Sequence, residues 1–182
     1  MAAQIEQETC ITLKHRFCWS EFAQLKTSRE QGVGLGQLTR AFFPDGRVRF
    51  DAMGELKAKY PKELGGLSWD NWTDPRLQIR ALVLKDRDAC RRIRDTATQN
   101  DNMLMCMAAY NGGVGGLNND RTLCRAKPGC NPGLWYGHVE HTSYKSRTVI
   151  PGYGKSPMEI NREYVYNIDK IRRPRYLRLD LP

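Results

Sequence analysis

Nothing in this chain of 182 residues reads as a membrane span. Apolar residues make up 40% of it, and no apolar run approaches the roughly 18 residues that a spanning helix needs. The opening decapeptide, MAAQIEQETC, lacks the basic-then-apolar pattern of a secretion leader. Work outside the cytoplasm is therefore expected to depend on a longer parent chain or on permeabilisation by a separate factor. Repeats and low-complexity segments are missing, and strand-like alternation is scarce, Arg47–Phe50 being the best of it. Nucleotide cradles are missing too. The stretch Gly32-Val33-Gly34-Leu35-Gly36-Gln37-Leu38 has no lysine after its last glycine, as a P-loop requires, and no glycine at position 37, as a dinucleotide turn requires. A packed turn survives, where backbone comes close to a partner and Gln37 offers donors and acceptors.

Charge is abundant and of one sign. The net charge of +9 and pI near 9.4 fit an anionic partner: nucleic acid, a membrane surface or an acidic polysaccharide such as a cell wall. The cations are dispersed except in Lys170–Arg178, which reads as a solvated helix end and tail. Tyr176 is the only aromatic in that run, which speaks against nucleic acid.

Six cysteines allow 15 full pairings. Local geometry favours Cys10 with Cys18, Cys124 with Cys130, and Cys90 with Cys106, the last pair flanking the polar break Thr96–Asn102 between two helix-like segments. Three such bridges imply an oxidising compartment. Reduced buried thiols are one alternative. A zinc site of Cys124, Cys130, His138 and His141 is another, although its C-x5-C and H-x2-H spacings fall outside the usual structural ranges.

Residues 1–9 read as a helix, and 10–27 as less regular chain anchored by Trp19 and Phe22. Leu35–Phe43 reads as a short buried helix stopped by Pro44-Asp45-Gly46. An amphipathic helix over Phe50–Tyr60 shows Phe50, Met53, Leu56 and Tyr60 on its apolar face, with Gly54 inside it. Asp74-Pro75 opens the longest periodic segment, to about Thr96, with Ile79, Leu82, Val83, Cys90 and Ile93 as its buried stripe. Asn102–Asn111 is a very apolar helix closed by Gly112-Gly113, and a last helix is expected over Ser156–Arg173. The expected class is mainly α, in one domain spanning 1–182.

Two glycine sites, GVGLGQL and Ala109-Tyr110-Asn111-Gly112, stand far apart in the chain. Together they resemble the soluble lytic transglycosylases, lysozyme-like muramidases that cut bacterial peptidoglycan without water. That family carries a catalytic Glu followed by Ser, then a Ser and a glycine segment ending Gly-Leu-Met-Gln, then Ala-Tyr-Asn and glycine, then Tyr-Val-x-Asn-Val. The corresponding residues are Glu8-Thr9, Ser28 with Gly34-Leu35-Gly36-Gln37, Ala109–Gly112, and Tyr164-Val165-Tyr166-Asn167-Ile168. Thr9 and Gly36 depart from the family's serine and methionine. Between Glu8 and Gly34 lie 25 residues, and Cys10 and Cys18 bracket part of that length, which resembles bacteriophage cell-wall lytic domains. Only seven residues precede Glu8, which suggests a domain trimmed from a longer chain.

The resemblance implies a single lysozyme-like domain with little β structure and no cofactor or metal. Glu8 would protonate the leaving glycosidic oxygen, its pKa raised by a partly apolar cleft, and would then take the proton of the muramyl 6-hydroxyl to close a 1,6-anhydro ring. Ser28, Gln37, Tyr110, Asn111 and Tyr164 would line the cleft. Glu30 is the second candidate acid, and Glu6 reads as a solvated helix glutamate. The implied partner is the peptidoglycan strand, together with other tail or virion proteins, and neither nucleic acid nor membrane insertion is expected. The implied place of action is the periplasm or cell wall, as a virion component or a phage endolysin. A goose-type hydrolytic lysozyme would need a second carboxylate, with Asp45 or Asp51 as candidates. An inactive peptidoglycan-binding domain is the remaining alternative.

Overall fold

The computed structural model describes residues 1–151 and 154–177, and the chain is mainly helical with one small sheet. It divides into two compact units: residues 1–85 with 175–182, and residues 86–174.

Unit 1 begins with α1 (Ala2–Thr9) and continues into a four-stranded antiparallel meander, β1 (Gln24–Lys26), β2 (Glu30–Val33), β3 (Leu38–Phe42) and β4 (Val48–Asp51). Pairing sets Gln24 against Val33, Val33 against Leu38, and Arg40 against Asp51. Two short helices follow, α2 (Ala52–Lys59) and α3 (Pro61–Leu64), and then α4 (Pro75–Arg91), within which the division between units falls. The core of unit 1 joins Val33 and Leu38 of the sheet to Met53, Leu56, Leu64, Leu67, Ala81 and Leu84.

Several expectations are corrected here. Leu35–Phe43 is a turn and a strand rather than a helix: Gly34 and Gln37 take φ of 74° and 42°, which no right-handed helix accommodates. Phe50 lies in β4 and is exposed, so the helix starts after it. Asp51 caps that helix by accepting from the Gly54 amide at 2.8 Å. A Cβ at Gly54 would stand 2.8 Å from Asp51 Oδ2, which explains a glycine inside a helix. Trp19 and Phe22 are exposed and are not core anchors. On α4, Ile79 and Val83 are exposed while Gln78, Ala81, Leu82 and Ala89 are buried.

Unit 2 is built on α5 (Gln99–Gly112), α6 (Val114–Ala126) and α7 (Pro157–Tyr166), with a 3-10 turn at Val139–His141. Thr98 caps α5 by accepting from the Asp101 amide, and Ser156 with Glu159 forms a capping box on α7. Helix α6 was not anticipated, because its first residues, Val114-Gly-Gly, look like a continuing loop. The last helical segment runs past Tyr166 through a π-helical turn, Asn167–Arg172, into α8 (Arg173–Leu177). The core packs Leu104, Met105, Ala108 and Ala109 of α5 with Leu117, Cys124, Trp135, Val139 and Val165.

All three expected disulfides are present, Cys10–Cys18, Cys90–Cys106 and Cys124–Cys130, so no cysteine is reduced. The zinc alternative falls with them, because Cys124 and Cys130 are bonded to each other. No described helix is long and apolar enough to cross a membrane.

Candidate functional site

Helix α1 carries both candidate glutamates, and the structure treats them differently. Glu6 is buried and not solvated. It accepts from the Tyr176 hydroxyl at 2.7 Å and is salt-bridged to Arg175. Burial first, and the bond to Glu6 and its charge next, push the Tyr176 phenol up to about 12. The C-terminal basic run is therefore not simply solvated: Arg175 pairs with Glu6, and Lys170 and Arg173 pair with Asp169. Arg178 lies outside the described residues.

Glu8 stands in the last turn of α1, half-buried. Thr9 follows it, and its hydroxyl donates to Ile5 O at 2.7 Å and accepts from the Trp19 amide at 3.0 Å. That hydroxyl ties the helix end to the far side of the Cys10–Cys18 loop. The bonds need a hydroxyl at position 9, which serine or threonine supplies.

The GVGLGQL stretch forms the β2–β3 connection, with Gly34–Gln37 as the turn. The Gln37 side-chain amide donates to Ala23 O at 3.1 Å and Gly34 O at 2.9 Å, so its carbonyl oxygen is what remains for a ligand. A Cβ on Gly32 would stand 2.9 Å from that oxygen. Gly34 is required twice, by its positive φ and by Gln78, whose side chain would lie 2.5 Å from a Cβ there. Gln78 is the residue that the sequence reading missed. Its Oε1 accepts from the Leu35 amide at 2.8 Å, and its Nε2 donates to Glu21 O and Trp72 O. The signal was faint: Gln78 lies four residues before Leu82, so it shares the helical spacing of an apolar stripe.

Other residues of the same reading fall elsewhere. Ser28 is exposed in the β1–β2 turn, and a strand of roughly 13 Å separates it from the Gly34–Gln37 turn. Glu30 begins β2 at that same remote end. Asp45 sits in the β3–β4 turn, bonded by Arg47 through its amide and guanidinium, which holds its carboxyl below the usual range. Asp51 Oδ1 is occupied by the Gly54 amide and by Trp69 Nε1 at 3.0 Å.

In unit 2, Tyr110 and Tyr164 are both buried and stack with ring centroids 6.4 Å apart. Asn111 is exposed at the end of α5, and its Oδ1 accepts from Asn161 Nδ2 at 2.9 Å, leaving its own amide to donate outward. Asn161, also missed from sequence, is buried and donates to Ala108 O as well. A Cβ on Gly112 would stand 2.8 Å from both Asn161 Nδ2 and Lys145 Cε. Gly112 therefore makes room for packing, and Gly113, with φ of 78°, turns the chain. Nearby, the buried Asp120 is paired with the half-buried Arg162 at 2.8 Å and Lys145 at 2.9 Å.

The structure thus places Glu8 and Gln37 in unit 1, and Tyr110, Asn111 and Tyr164 in unit 2. Among the described residues no group of three or more His, Cys, Asp or Glu side chains is arranged to hold a metal ion. Comparison with protein-family models, with curated proteins and with solved structures found no match to this chain.

Proposed function

We propose that this chain is a peptidoglycan lytic transglycosylase of the lysozyme-like type, with Glu8 as its single acid and base. It cleaves the β-1,4 bond from N-acetylmuramate to N-acetylglucosamine and leaves 1,6-anhydro ends. Its place of action is the periplasm or cell wall, as a phage endolysin or tail-associated lysin.

The observation that carries this reading is the placing of Glu8: it stands half-buried in the last turn of α1, directly before the Thr9 hydroxyl that ties the helix end to the Cys10–Cys18 loop. A carboxyl that first donates its proton is then ready to accept one, so a single carboxylate serves both steps. The engagement of Asp45 and Asp51 favours a one-carboxylate mechanism over the goose-type hydrolase. In unit 1 the Gln37 carbonyl, and in unit 2 the exposed Asn111 amide, are each suited to N-acetyl and hydroxyl groups of glycans.

Mass spectrometry of products from purified peptidoglycan tests the proposal. Wild type is expected to release muropeptides one water lighter than reducing ends, and Glu8→Gln to release none while remaining folded. Reducing ends would instead establish a hydrolase, and no release from either protein would establish a binding domain.

A further inference from the structure

The loop closed by Cys10–Cys18 has no part in the chemistry proposed for Glu8, yet it is unusually built. Its eight-residue separation is pinned by the disulfide, by His15 N to Thr12 O, by Cys18 N to His15 O, and by Trp19 N to Thr9 Oγ1. Such bracing is commonly used to hold a side chain inward. Here Ile11 is 82% exposed and Leu13 59%, Ile11 being the most exposed of the large apolar residues described. A braced loop cannot fold these side chains back onto the core, so they stay in water at a standing cost. Lys14 and Arg16 follow directly and are the loop's charged residues; no acidic residue lies between the cysteines. Arg16 rests over the Phe17 ring at 4.5 Å.

A second observation comes from the loop's exit. Trp19 holds φ of 60°, an unfavourable conformation for a bulky residue. The bond to Thr9 and an edge-on packing against Tyr176 fix it there. The indole nevertheless remains 43% exposed, and Phe22 and Leu25 beyond it are exposed as well, with Lys26 next in the chain and Glu21 the one opposing charge. Strain is thus accepted at a position where an aromatic is kept at the surface.

Apolar tips, an amphipathic indole and adjacent cations on one rigid segment match one kind of surface, a bilayer with anionic headgroups. There the apolar tips enter the acyl boundary, the indole sits at headgroup level, and the cations meet phosphate. We infer that residues 10–26 form a membrane-surface anchor, with Ile11 and Leu13 as the inserted side chains and Lys14 and Arg16 as the headgroup contacts. Charge complementarity selects anionic lipid: the chain carries +9, and the loop itself is purely cationic.

Co-sedimentation with phosphatidylglycerol–phosphatidylcholine vesicles tests this, with phosphatidylcholine alone as reference. The wild type is expected to partition onto anionic vesicles at least tenfold better than onto neutral ones. The double variant Ile11→Ser/Leu13→Ser is expected to lose at least tenfold in partitioning. Lys14→Glu/Arg16→Glu is expected to lose as much and to abolish the preference for anionic lipid. Both variants alter exposed positions, and circular dichroism with a thiol assay confirms that fold and disulfide remain. Wild type staying in the supernatant overturns the inference, as does unchanged binding by the serine variant, which would assign the attraction to charge elsewhere. Retention on wall polymer, lost in these variants without any lipid binding, also overturns it and assigns the loop to the wall. Digestion of purified peptidoglycan is read in parallel, so failure of the anchor and failure of the Glu8 reading are told apart.

Discussion

Glu6 in unit 1 and Asp120 in unit 2 are the most deeply buried carboxylates of the two units, and they are satisfied differently. In unit 2, Asp120 is fully buried between two cations, Arg162 and Lys145, and the Thr142 and Val139 carbonyls occupy the same guanidinium of Arg162. In unit 1, Glu6 is buried against one cation and one phenol, Arg175 and Tyr176. The rest of unit 1 is organised by neutral side chains that satisfy backbone groups in loops: Gln78, Gln37 and Thr9. The difference teaches where each unit is vulnerable. A helical unit with a dense apolar core tolerates a buried ion cluster as long as every member stays, because removing one strands the others. A turn-rich unit with short strands depends on individual hydrogen bonds that hold its loops in uncommon backbone conformations.

Four variants put that contrast to the test. Asp120→Ala is expected to have the largest effect, a loss of about 3–5 kcal/mol in chemical denaturation, because the half-buried Arg162 and Lys145 lose the buried carboxylate that both pair with. Hydrogen exchange should locate the loss in α5, α6 and α7 and spare the sheet. Next comes Gln78→Ala, which orphans the Leu35 amide and the Glu21 and Trp72 carbonyls. About 2–3 kcal/mol is expected, with faster exchange confined to the β2–β3 turn. If Gln78→Ala instead loosens α5, the division of labour between the units is wrong. Replacing both Cys10 and Cys18 by serine should cost about 2 kcal/mol through the freed loop, visible as a lower urea midpoint with the core exchange pattern unchanged.

The smallest effect is expected from Tyr176→Phe, about 1 kcal/mol at neutral pH for one hydrogen bond to Glu6. Its sharper signature is in the pH profile. A phenol that holds its proton more tightly in the folded state contributes stability that is complete below its ordinary value of 10.0. That contribution fades as pH rises towards about 12. Wild type should lose more stability than Tyr176→Phe over that window in urea titrations, and parallel curves would show the bond to be unimportant. Asp169 works at the other end. Burial raises its pKa, but the bonds from Lys170 and Tyr136, the Lys170 charge and the Arg173 bond together bring it below the ordinary value. Its contribution is therefore present above the ordinary carboxylate range and is lost as pH falls through its lowered pKa.

The helices were the legible part of the fold. Helices α1, α4, α5 and α7 announce themselves through apolar spacing and through starts such as Asp74-Pro75 and Ser156-Pro157. The sheet was nearly invisible, because β1 is exposed at every residue and β4 at all but Asp51, so neither shows the alternation of a half-buried strand. Helix α6 hid behind Gly115 and Gly116, the second of which accommodates Lys145 Nζ at 3.2 Å from where a Cβ would stand. At the candidate site, the glycines were legible as places of close approach. What approaches them was not, because Gln78 and Asn161 are polar residues on buried helix faces and read as surface. Trp19 and Phe22 misled in the opposite sense, since aromatic residues suggest a core and these two face solvent.

Local chemistry alone determined the three disulfides, whose partners lie 6, 8 and 16 residues apart, and the helix starts that proline and capping side chains define. Tertiary structure decided everything that depends on distant partners. Glu6 meets Arg175 across 169 residues, Leu35 meets Gln78 across 43, and Asn161 meets Ala108 across 53. Spacing along the chain fixes which residues share a helix face or close a short loop. It carries no information on which buried polar group will find which partner, because that pairing is set when separate elements pack and each desolvated donor or acceptor must be satisfied.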